Sequence, residues 1–303
     1  MAEIKYEVVE RIAVLDVTPL GFHQTGGEDH ILLRLRTRIT DYTVNDGTQQ
    51  IVRGSRDQEK FMTYEWDLLL KDLSADHTVY CLDLLGCGRS DKPNLTYTNY
   101  FYVQLINDFI EHVIHEKTDI IATGLSSSFV LMACSTNPDA YNKIMMINPE
   151  SISNLKCTPS KRSRIIKFIM DLPIVGTAVY NMQMRRENIE YLFTENYFYN
   201  PFSVSKKMLD VYHESAHLDE CGGKYLLSSL DGFYLNADIS RALHEINHSL
   251  FILEGRKTDE RQKTAEGYVC LNSAAEYDFI ENTEKYPQME NPQAVMEYVE
   301  LFF

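Results

Sequence analysis

The sequence is short of positive charge. Its 303 residues carry 29 Lys and Arg against 44 Asp and Glu, a formal net charge of −15. Binding a polyphosphate depends on releasing counterions with Lys and Arg, so nucleic acid is excluded as the expected partner. No apolar run approaches the roughly 18 residues that span a bilayer, and no membrane partner is expected. Six cysteines (Cys81, Cys87, Cys134, Cys157, Cys221 and Cys270) include no C-x-x-C pair. They read as reduced thiols rather than as a disulfide framework or a metal cage. The opening MAEIKYEVVE has acids where a signal peptide needs a basic patch and an apolar stretch, so a cytoplasmic location is the expectation. Internal repeats and low-complexity segments are absent.

What is present is a 44% hydrophobic composition, enough for a large core. Tyr6 to Thr18 and Ile31 to Thr43 are rich in β-branched residues and read as antiparallel strands. Beyond them the period changes. VYCLD (79–83), DIIAT (119–123), KIMMIN (143–148) and LFILE (250–254) read as short buried strands. Residues 97–114, 127–135 and 293–302 carry helical spacing. Alternating strands and helices predict an α/β fold with a mostly parallel central sheet flanked by helices. Residues 151–240 break the rhythm with helical patches and aromatics but no strand. The predicted organisation is therefore a core from 1–150 and 241–303 with an inserted helical lid over 151–240. Residues 151–170 contain five Lys or Arg and no acid. That run reads either as a greeting for an anionic substrate or as a solvated helix face.

The stretch IATGLSSSFVL (121–131) sets three serines at a junction between two apolar segments. A helix cap accounts for one of them. A nucleophile elbow, in which a strand turns tightly into a helix and lifts the middle residue of G-x-S-x-G, accounts for the pattern with Gly124, Ser126 and Ser128. The glycines of LLGCGRS (84–90) invite a phosphate-loop reading, but both G-x-G-x-x-G and the lysine of a P-loop are missing.

Taken in order, VYCLDLLGCGRSDKP (79–93), the elbow at Ser126 and YPQMENP (286–292) before an apolar helix resemble the α/β-hydrolase superfamily, in particular its lid-bearing, epoxide-hydrolase-like and esterase-like members. The resemblance implies a serine nucleophile at Ser126, with the backbone N–H of Ser127 as one oxyanion donor. The second donor would come from QQIVRGSRD (49–57), where Arg53 replaces the usual histidine and Ser55 is the candidate. Asp259 in GRKTD, or Glu150 in NPE, would be the triad acid. The histidine expected before P-x-x-E-x-P is missing: ENTEKYPQMENP (281–292) has none, and the last histidine of the chain is His248. Lys285 stands near the vacant slot, and His217 in the lid is the other candidate base.

HESAH (213–217) also satisfies H-E-x-x-H, whose spacing puts His213 and His217 on one helix face as zinc ligands, with Glu245 or Asp238 as a third. Three readings follow. The first is a serine hydrolase of small, partly apolar esters or thioesters working through Ser126 with an incomplete triad. The second is a non-catalytic ligand-binding relative, and the third is a zinc metallopeptidase. The first two imply a small-molecule partner, no cofactor and no metal.

Overall fold

The computed structural model describes residues 11–16, 39–45, 48–51, 65–88, 90, 92–217 and 219–303. Its strands are β1 (Arg11–Asp16), β2 (Ile39–Asn45), β3 (Thr48–Ile51), β4 (Thr78–Asp83), β5 (Thr118–Thr123), β6 (Tyr141–Ile147), β7 (Leu250–Glu254) and β8 (Ala275–Phe279). The helices are α1 (Asp67–Asp76), α2 (Asn99–Phe109), α3 (Ser126–Thr136), α4 (Ile152–Leu155), α5 (Lys161–Asp171), α6 (Val175–Gln183) and α7 (Arg186–Leu192). They continue with α8 (Lys206–His217), α9 (Gly223–Asp231), α10 (Ser240–Glu245), α11 (Asp259–Leu271), α12 (Pro287–Glu290) and α13 (Pro292–Phe302).

The strands form a single sheet in the order β3-β2-β4-β1-β5-β6-β7-β8. From β4 to β8 every neighbour is parallel. β2 runs antiparallel to both β3 and β4. The N-terminal expectation is corrected here: the first strand does not pair with the second but lies parallel between β4 and β5. An alternation of period two is the same in both kinds of sheet, so the pattern had no means of telling them apart.

Alternate side chains divide the core into two layers. On one face Leu82, Ile120, Ala122, Ile144, Met146 and Ile252 pack with Tyr102 of α2, Phe129 of α3, Leu243 of α10 and Tyr268 of α11. On the other, Val79, Cys81, Ile121, Met145, Ile147 and Leu253 pack with Leu69 and Leu73 of α1 and with Val295 and Val299 of α13. A strand covered on both faces has no polar side, and β5 is buried at all six positions. Each large aliphatic side chain so buried contributes about 1.5–3 kcal/mol.

Among the described residues between β6 and β7, the regular elements are all helical, from α4 to α10, with no strand. Part of this stretch has a core of its own, where Ile189, Phe193, Phe198, Met208, Leu209 and Tyr212 cluster. The Tyr212 hydroxyl reaches Glu65, just ahead of α1, with a 2.5 Å hydrogen bond between buried groups. Among the described residues no single helix is long and apolar enough to cross a membrane.

Candidate active site

The chain must reverse at the carboxyl end of β5 to enter α3. It does so at Gly124, whose φ of +50° lies in the left-handed region that glycine occupies without steric cost. The Gly124 N–H donates to the Ile147 carbonyl of β6 at 2.9 Å, and its carbonyl accepts from the Ser127 N–H at 3.3 Å. Leu125 is already right-handed, at φ −65° and ψ −28°, and Ser126 is the first residue of α3. The apex of the turn is therefore Gly124, two residues before the predicted position. The small residues that let an elbow close are then Ala122 and Ser126, two before and two after, and both are wholly buried.

This placement explains the three serines. Ser127 Oγ donates to the Ala122 carbonyl at 3.4 Å and Ser128 Oγ to the Leu125 carbonyl at 2.8 Å. Asn99 Nδ2 donates in turn to Ser128 Oγ at 3.3 Å. Two of the hydroxyls thus fasten the first turn of α3 to the strand end. Ser126 Oγ has no hydrogen-bond partner in the structure. The Ser126 side chain is wholly buried at the start of the helix.

A cavity of about 390 Å³ lies over the turn, lined at its floor by Thr123, Gly124, Leu125, Asn148 and Glu150. Its roof comes from the helical stretch, through Met184, Ile189, Leu192, Phe193, Tyr197, Tyr212, Leu227, Leu230 and Asp231, and Lys285 and Tyr286 close one side. A Cβ placed on Gly124 would meet no atom within 4 Å. The apex thus points a missing side chain at open space. Ser126 is not among the lining residues.

The other predicted site residues divide. Glu150 and Lys285 line the cavity; Asp259, His213 and His217 do not. Asp259 is exposed in the first turn of α11, behind the Thr258 cap, where a carboxylate complements the helix dipole. His217 Nδ1 lies 2.8 Å from the His213 carbonyl one turn earlier, and the two imidazoles pack with centroids 4.4 Å apart. Burial, together with His217 and Arg186, holds His213 below its ordinary pKa. Ser55 and Arg53 lie outside the described residues. The Ser127 N–H is occupied by the Gly124 carbonyl. Lys285 extends its ammonium over the Tyr197 ring, 4.4 Å from the centroid, as a cation–π contact. Among the described residues no three His, Cys, Asp or Glu side chains converge as a metal site, HESAH included.

At the carboxyl ends of β6 and β7 stands a charge network that sequence reasoning missed. Asn148, left-handed at φ +45°, donates from Nδ2 to the Glu284 and Lys285 carbonyls, both at 2.9 Å. Its Oδ1 accepts from the Gly255 N–H at 2.7 Å and from the Arg261 guanidinium. Arg261 also pairs with Glu254 and with Glu284, each at 3.1 Å. Burial pushes the Glu254 carboxyl up to about 7, against the pull of Arg261. The glycines of LLGCGRS form a tight turn instead of a cradle: a Cβ on Gly88, at φ +50°, would fall 2.3 Å from the Asp83 carboxylate.

A mostly parallel sheet, a strand–turn–helix elbow at its carboxyl edge and a cavity roofed by helices between β6 and β7 define the class: the chain is an α/β-hydrolase-fold protein. Residues 59–164 match the family model described as the alpha/beta hydrolase fold. Among solved structures, the epoxide hydrolase CorEH is similar at a TM-score of 0.68 and 15% identity, covering 97% of this chain and 91% of its own. A meta-cleavage product hydrolase from Pseudomonas fluorescens is similar at 0.66 and 12%, covering 97% and 90%. A serine hydrolase of carbazole degradation is similar at 0.65 and 13%, covering 96% and 90%. At these identities the likeness is one of fold. A sequence search of curated proteins found no match.

Proposed function

We propose that this chain is a small-molecule-binding protein of the α/β-hydrolase fold that does not work through a serine nucleophile. One observation carries the reading: the elbow apex is Gly124, whose absent side chain faces the cavity, while the nearest hydroxyl, Ser126 Oγ, is buried without a partner. Attack on a carbonyl needs a nucleophile in the cavity and a base within about 3 Å of it. Among the described residues, neither a serine nor an imidazole lines the cavity. Residues 151–240 act as a lid, a role supported by the many roof residues that come from this stretch and by the bond from Tyr212 to Glu65. The lining is largely apolar and aromatic, with Glu150, Asp231 and Lys285 as its charged groups, which suits a small, partly apolar ligand that those groups orient.

The test pairs binding with turnover. Anilinonaphthalene sulfonate, an apolar fluorescent probe, should bind the wild type and lose roughly tenfold in affinity in Gly124→Leu, which fills the floor. Hydrolysis of p-nitrophenyl acetate should be equal in wild type and Ser126→Ala. Turnover that disappears in Ser126→Ala would return the chain to the serine hydrolases.

A further inference from the structure

The basic run noted in the sequence lies on α5, and the structure gives it a second property. Ser163, Lys167 and Met170 form the buried stripe of that helix. The rest of its surface faces outward and mixes cations with large apolar side chains: Lys161, Arg162 and Arg164 are exposed beside Ile165 (59%), Ile166 and Phe168 (67%). At the break after α5 the chain bends by 96° into α6, and at that corner Ile174 is exposed at 83% with Val175 next to it. Together the two helices have the length and apolar composition of a membrane-spanning segment, but they are bent by 96° and neither is long and apolar enough alone. A bent, basic and apolar hairpin of this kind suits the plane of a bilayer interface, where apolar residues enter the acyl boundary and Lys and Arg meet anionic headgroups.

We propose that the outer face of the α5–α6 hairpin docks on an anionic lipid surface. Charge selects the occupant. The chain as a whole is at −15, yet the exposed charges of α5 on this face are Lys161, Arg162 and Arg164, while Lys167 is buried against Asp171, so this face is the one that an anionic bilayer attracts. A second copy of the chain fits less well, because a two-fold interface built on this face would bring a second set of the same three cations, with no acid among them, into the contact. A patch of exposed Ile and Phe also exceeds the scattered apolar residues of an ordinary surface. The proposal does not depend on what the cavity binds.

Co-sedimentation with phosphatidylcholine vesicles, with and without phosphatidylserine, tests it on the full chain. The wild type should bind only the phosphatidylserine vesicles and should release as salt is raised. The triple variant Lys161→Gln, Arg162→Gln, Arg164→Gln removes three exposed cations and should weaken binding roughly a hundredfold. The pair Phe168→Ser and Ile174→Ser should weaken it independently, at unchanged charge. Wild type that stays in the supernatant with phosphatidylserine vesicles would overturn the proposal. So would binding indifferent to both sets of substitutions, or a lipid-free dimer that the Phe168→Ser and Ile174→Ser pair dissociates.

Discussion

The carboxyl ends of β5 and β7 lie on the same edge of one sheet and have opposite characters. At the end of β5 the chain turns on a residue without a side chain, and the space in front of it is empty. At the end of β7 the polar groups are engaged with one another: Glu254, Glu284, Asn148 and Arg261 share a network that ties β6, β7 and α11 together. A working triad would place a nucleophile at the first and a free carboxylate near the second, joined by an imidazole. In the proposed reading the first lacks its nucleophile, and at the second Glu254 and Glu284 are paired with Arg261. The difference teaches that an α/β-hydrolase edge can retain its geometry while its polar groups are assigned to structure.

The comparison breaks most severely at Arg261. Its replacement by Met leaves Glu254 buried without a counter-charge and should cost about 3 kcal/mol in urea unfolding. If the loss were only a few tenths, the network would not be structural. The pH dependence of stability sharpens the same point. Glu254 in the folded chain titrates near 7, above the ordinary glutamate value of about 4.3. The unfolded chain therefore releases this proton first, and stability falls as pH rises through that window, by roughly 3–4 kcal/mol. The Glu254→Gln variant should lack this slope when unfolding is followed across the same range.

Smaller effects belong to the vacated end. Gly124→Ala places a Cβ in open space but at a left-handed φ, so it should cost about 1 kcal/mol in thermal unfolding. A loss of several kcal/mol would mean that the apex is packed rather than open. Ser126→Ala removes a buried hydroxyl that has no partner. It should leave stability unchanged or raise it by up to about 1 kcal/mol, since a buried polar group without a bond is a liability. Denaturation midpoints of the two variants, measured together, distinguish the apex from its flank.

Much of the architecture was legible because burial on both faces leaves a clear trace. LFILE is β7 residue for residue, and the continuous apolar runs at 79–83 and 119–123 are the cores of β4 and β5. Strand β8, with AEYDF half-exposed along its length, carries no such run and went unread. The elbow was legible as a turn, and the residue with the positive φ is Gly124, two positions before Ser126. A match to G-x-S-x-G records residue types, whereas the apex is set by where the strand stops and which residue accepts a positive φ. The cue was in the sequence: the apolar run ends at Thr123, a glycine follows, and Ala122 and Ser126 flank it at the spacing an elbow requires. For Asp259, a loop acid and a helix-capping acid look alike in sequence, and only the Thr258 cap separates them. The Arg261 network joins residues more than a hundred positions apart, a contact that no local pattern encodes.

The most direct test of the account is intact-mass analysis after exposure to a fluorophosphonate. With Gly124 at the apex and Ser126 interred, the wild-type mass should be unchanged, as should that of Ser126→Ala. A single stoichiometric adduct on the wild type that maps to Ser126, and that disappears in Ser126→Ala, would contradict it.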